Sequence, residues 1–340
     1  MKVISPAIIK HKYNKNNILI ILCTIFLLLL TIMLIINPAK YINSCYNGLV
    51  IWVTCVLPGL LPFFIITKLL SELKCLDKFF NKFEKLNKIL FNAPKCSGYI
   101  FGMSIISGYP VGAKLINDFY ENGVITSKEA NKLTTFCSTS GPLFTIGTVG
   151  AVMLKSAKIG YILYISHVLS AILNGILYRK VYVEKDDSTK NIPQKETDYS
   201  NLLSSTMTNS ISSVMVVGGF VAIFYMIIDI ILDLHLLTPI SQLINSIFSP
   251  LGLNCIGESI TNGFIEVTRG CKDLSMLSIS PKILTTIASG LISFGGLSIH
   301  AQSLSFLTKS KINVKFYFLQ KITQTIFACV ICFLLCSVLF

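Results

Sequence analysis

The residues of this chain that could hold a small solute sit in a few glycine-broken clusters within an otherwise apolar sequence. Ser107-Gly108-Tyr109-Pro110 can free backbone groups at a turn, and Lys114, just beyond it, offers a cation to a carboxylate. Ser138-Thr139-Ser140-Gly141, ahead of Pro142, can free backbone groups in the same way and adds hydroxyl donors. Helix N-termini beyond such breaks attract carboxylates through oriented N–H groups and the helix dipole. Ser293, Gly295 and Gly296 interrupt a second apolar run, and His300 and Gln302 beyond them can donate to a ring or a carboxylate. Glu266, in a further glycine-rich stretch, can carry a coupling proton or sodium ion, with Glu258 as a second acidic candidate.

Each of these residues also has a plain structural reading. Lys114 can snorkel to an interface, and small residues pack membrane helices closely. Glu266 and Arg269 share a helical face and can simply neutralise each other. A lone histidine near a break, such as His300, is often only a hydrogen-bonding residue.

An enzyme needs a convergent nucleophile–base or metal set, and none has recognisable spacing here. The four histidines form no HExxH pair, and Cys329-Val-Ile-Cys332 lies in a lipid-length apolar run with no neighbouring ligands. The other cysteines mostly read as small apolar fillers. Asp229 and Asp233 resemble a carboxylate pair, but adjacent turns near the end of an apolar run read as wetted. The expectation is therefore no enzyme, no metal and no cofactor beyond a coupling ion, H+ or Na+.

Charged residues make up 13% of the 340 residues and hydrophobic residues 53%. A soluble domain carries about 25% charged residues, so half that supply cannot wet a globule of this size. Lipid must be the solvent for much of the chain. The excess of 29 basic over 16 acidic residues, +13 in all, then marks cytoplasmic loops rather than a nucleic-acid partner.

These clusters need spanning elements to hold them. Residues 18–36 run uncharged for long enough to cross a hydrocarbon core of roughly 30 Å, behind a basic N-terminus expected in the cytoplasm. Further spans are expected near 46–70, 133–154, 159–179, 206–232, 282–308 and 316–340. Segment 71–97 reads as a basic amphipathic helix at the cytoplasmic interface, and 180–205 as a polar cytoplasmic linker. With Lys309, Lys311 and Lys315 in a cytoplasmic loop, the chain ends outside. Arg269, Lys272 and Lys282 then lie outside as well, against the positive-inside rule.

Stretches 98–117 and 257–272 are too broken for ordinary spans and read as re-entrant hairpins. Each precedes a segment with Leu-Thr-Thr, at 133–135 and 284–286, and then a small-residue break. The expected fold is an all-α polytopic membrane protein of two inverted repeats, 46–179 and 206–340, behind an N-terminal segment 1–45. In such proteins broken helices meet near the midplane and their ends form the binding site.

The motifs SGYPVGAK at 107–114, FCSTSGPLF at 136–144 and SFGGLSIHAQ at 293–302 resemble the nucleoside-recognition, or gate, domain family of membrane proteins. WVTCVLPGLLP at 52–62 and GFIEVTRG at 263–270 add to the resemblance, which runs from about residue 46 onward. Within that family the chain is most similar to the members tied to endospore formation. The resemblance implies an architecture like that of concentrative nucleoside transporters. It also implies residence in the outer forespore membrane and a dipicolinate-like anion as cargo, a nucleoside or another small metabolite being the alternative. The oligomeric state stays open.

Overall fold

The computed structural model describes residues 15–72, 84–182, 201–307 and 309–339, and every regular element among them is helical. Lys74, Lys78, Lys82 and most of the 180–205 linker lie outside the described residues. Among the described residues, five helices are long and apolar enough to cross a membrane: Pro38–Leu70, Ala157–Leu177, Leu202–Asp233, Pro281–Leu307 and Val314–Leu339. The chain is an all-helical polytopic membrane protein.

Helix α1 (Lys15–Ile36) leads into α2 (Pro38–Ile51), which continues through a π-helical turn at Trp52–Val56 into α3 (Leu57–Glu72). The short α4 (Glu84–Phe91) precedes a hairpin of α5 (Ser97–Ser107) and α6 (Val111–Glu121). Helix α7 (Ser127–Thr134) starts at a capping box, in which the Thr126 hydroxyl accepts from Glu129 N–H and the Glu129 carboxylate accepts from Thr126 N–H. It stops at Thr134, and the helix resumes only at Leu143–Met153, wound in π register. The span expected over 133–154 is thus interrupted at 135–142, around the small-residue break read from the sequence. Helix α8 (Ala157–Leu177) follows, capped by the Ser156 hydroxyl.

The second part begins with α9 (Leu202–Asp233) and an amphipathic α10 (Thr238–Phe248), which was not foreseen from the sequence. A second hairpin, α11 (Gly257–Ile265) and α12 (Val267–Ser275), leads to α13 (Pro281–Phe294), broken at Gly295 from α14 (Gly296–Leu307). Helix α15 (Val314–Leu339) closes the fold, its 26 residues spanning about 39 Å.

Side-chain contacts fix how the helices run. Lys158 Nζ, at the start of α8, donates to the Leu339 carbonyl at the end of α15, while Tyr178 packs on Phe316 at their other ends. Helices α8 and α15 are therefore antiparallel. Asp233, ending α9, accepts from Lys40 and Tyr41 at the start of α2, so these two are antiparallel as well.

The first hairpin has its base where Glu121 meets Lys309 and Ser127 meets Ser310, beside the α8 C-terminus. The second hairpin packs instead among Val149, Ile159, Leu274 and Ala288, toward the α8 N-terminus. The hairpins enter from opposite ends. Asp229 and Asp233 keep the access to solvent expected of them, and each also holds a cation, Arg269 at 2.9 Å and Lys40 at 2.5 Å.

Candidate functional site

The first hairpin turns at Gly108, whose φ of +76° and ψ of −165° only glycine adopts readily. A Cβ there would sit 2.9 Å from Gly141 Cα, so the hairpin tip lies directly against the first break. The second tip makes the matching approach. Gly296, with φ +70°, lies so close that a Cβ would be 3.0 Å from the Gly263 carbonyl and 3.2 Å from Val267 N.

The exposed ends of the first break are met from inside the protein. Ser104 Oγ donates to the Cys137 carbonyl at 2.5 Å, and Thr139 N–H donates to Ser104 Oγ at 3.3 Å. Ser140 N–H donates to His167 Nε2 at 2.8 Å, and His167 Nδ1 lies 2.8 Å from Ser293 Oγ in the second break. His167 thus joins the two breaks. A backbone N–H can only donate, so Nε2 carries the lone pair and Nδ1 the proton. In that tautomer Nδ1 cannot take a proton from Ser293, and the pair does not act as nucleophile and base.

A second polar helix face reaches the same place. Tyr317, Gln320, Lys321 and Gln324 form one buried stripe on α15. Lys321 Nζ donates to Tyr109 Oη at 2.8 Å, to the Ser138 carbonyl at 2.5 Å and to Gln324 Oε1 at 3.0 Å. The lysine, 0% exposed, ties α15 to the hairpin tip and to the break.

Between the tips lies a cavity of about 50 Å³, room for a few waters. Ser107 and Tyr109 line it from the first tip, Ser140 and Gly141 from the first break, Glu266 and Thr268 from the second tip, and Gln302 from α14. Val56, Leu60, Phe144, Val217 and Val221 supply an apolar wall. The buried Glu266 caps α12, accepting from Arg269 N–H at 2.7 Å and from Thr268 Oγ1 at 3.0 Å. The expected charge pair with Arg269 does not form. The guanidinium instead reaches Asp229 and Asp273 and lies 5.2 Å from the centre of the Tyr225 ring.

Gly108, Pro110, Ser138, Thr139, Ser293, Gly295 and Gly296 stand behind the lining rather than in it. His300 lies outside the lining as well. Its Nδ1 is 3.3 Å from Tyr317 Oη, and its ring packs edge-on against Phe294 and Phe318. Lys114 is half-buried on α6 and does not line the cavity, and Glu258 is exposed at the start of α11. Sequence reasoning missed Lys321 and His167. Each is an ionisable residue within a largely apolar span, a signal that by itself marks a functional candidate.

The chain is 26% identical over 343 residues to the sporulation integral membrane protein YlbJ of Bacillus subtilis (strain 168). It is a relative of YlbJ. The likeness takes in 95% of this chain and 84% of YlbJ, so both hairpins and both breaks are framed by it. It bears out the likeness to the members tied to endospore formation. No family model and no solved structure matches the chain.

Proposed function

We propose that this protein carries a small anionic metabolite across a membrane during endospore formation, with dipicolinate as cargo and the outer forespore membrane as its place. One observation carries the transport reading. Two hairpins entering from opposite ends bring their tips and two interrupted helices to one cavity. Both parts of the chain run in the same order, from long helix to short helix, hairpin, broken helix and closing helix. Entry from opposite ends makes them an inverted repeat, 46–179 and 206–340, in the manner of concentrative nucleoside transporters. Such repeats alternate access by rocking about a central site. The sporulation role rests on the likeness to YlbJ, whose name carries that word.

Glu266 is the one ionisable carboxylate in the lining. Beside an anionic cargo it is suited to bind a proton, making H+ the coupling ion. The protein acts as a carrier and not as an enzyme. A neutral nucleoside is the second reading, favoured by hydroxyl and amide groups in the lining and by the lack of a cation there.

Uptake into vesicles holding only this protein decides between the readings. Accumulation of labelled dipicolinate, abolished when Gly141-Pro142 is replaced by Ala-Leu, is the expected outcome. Uptake of uridine without dipicolinate would establish the second reading, and uptake of neither would end the transport reading.

A further inference from the structure

Lys321 is fully buried, and among the described residues it pairs with no carboxylate. Its three oxygen partners are all neutral: a phenol, a carbonyl and an amide. They satisfy its N–H groups but leave its charge unbalanced, and an unbalanced buried charge is strongly disfavoured unless an anion comes to it. One partner, Tyr109, also lines the cavity, so the ammonium stands one hydroxyl away from the solute space. A second, independent feature points the same way. The buried Ser107 hydroxyl, which lines the cavity beside Tyr109, has no hydrogen-bond partner among the described residues. The amide nitrogen of Gln324, whose oxygen holds Lys321, likewise has none.

We propose that Lys321 is the charge that selects the cargo: a substrate carboxylate displaces the Tyr109 hydroxyl at the ammonium and takes a further hydrogen bond from Ser107. This rests on the transport reading and assigns to one residue its preference for small carboxylates over neutral or cationic solutes. It also explains how a lining with no cation of its own can serve an anion. The cation is held behind a tyrosine, whose ring lies 5.0 Å from the ammonium, and is uncovered when that side chain moves. With the site empty, the tyrosine and the Ser138 carbonyl shield the ammonium from the apolar core.

The experiment compares pyridine-2,6-dicarboxylate with its neutral isostere, pyridine-2,6-dicarboxamide, for binding to the purified full chain in lipid nanodiscs and for uptake into vesicles. The wild-type protein should prefer the dicarboxylate by at least about tenfold, or 1.4 kcal/mol. Lys321→Met, which keeps much of the stem's packing, should lose that preference while binding of the diamide stays within about twofold. Lys321→Arg keeps the charge and should keep the preference, and it carries the test if Lys321→Met is not recovered as a folded protein. Equal loss of both probes in Lys321→Met would make the lysine a structural tie and overturn the inference. Unchanged preference in Lys321→Met, or loss of preference in a folded Lys321→Arg, would overturn it too. Those results leave the transport reading standing, whereas a wild type that takes up neither probe removes that reading and this inference together.

Discussion

Replacing His167 with leucine tests whether the two helix breaks are held to each other. The imidazole accepts from Ser140 N–H at 2.8 Å and donates to Ser293 Oγ at 2.8 Å, in a place where all three residues are buried. Leucine fills much of the same volume but offers neither group. A buried N–H left without a partner is destabilising by about 1–3 kcal/mol, and losing the bond to a hydroxyl that can turn elsewhere adds about 1 kcal/mol. The expected loss is therefore about 2–4 kcal/mol. Trp52 is the single tryptophan and is buried against Gly218, so its fluorescence reports unfolding during graded SDS titration in mixed micelles. Ser293→Ala completes a double-mutant cycle, and the two changes should couple by at least about 0.5 kcal/mol. A His167→Leu protein within about 0.5 kcal/mol of the wild type, or strict additivity in the cycle, would refute the bridge.

Gly108→Ala places a Cβ against the Gly141 backbone at a φ of +76°, and about 1–3 kcal/mol of strain should separate tip from break. Vesicle uptake should fall severely while membrane insertion, read by fractionation, persists. Arg269→Met leaves Asp229 and Asp273 without their cation. Both are partly wetted, so the loss should be about 2 kcal/mol, less than for a fully buried pair, and Asp229→Asn in the Arg269→Met background should recover part of it in the same SDS titration. The hydrogen bond from Lys309 holds the Glu121 carboxyl below its usual range. A lowered carboxyl stabilises above its unfolded pKa, and the contribution is lost as pH falls through the folded value. A spin label at Lys311→Cys should therefore gain mobility on acidification, whereas in Glu121→Gln it should be mobile at neutral pH and insensitive to acid. Lys114→Met should retain at least about half of dipicolinate uptake, because Lys114 does not line the cavity; a drop of tenfold or more, about 1.4 kcal/mol, would return it to the site.

Much of the frame was legible because lipid imposes local rules. A helix must satisfy its own backbone in hydrocarbon, so long apolar runs announced α1, α8, α9 and α15, and Gly108 and Gly295-Gly296 announced where helix had to stop. The hairpins at 97–121 and 257–275 were readable for the same reason, as apolar stretches too punctuated to cross. What filled the breaks was not legible. Ser138 and Ser140 looked like open backbone groups, yet Lys321 and His167, 183 and 27 residues away in sequence, occupy them. Arg269 lies three residues from Glu266, but Glu266 is an extended N-cap and the guanidinium bonds Asp229, 40 residues earlier on another helix. Spacing along one chain sets what can stop a helix. Which side chain satisfies a broken end depends on which helices pack beside it, and only the tertiary structure decided that.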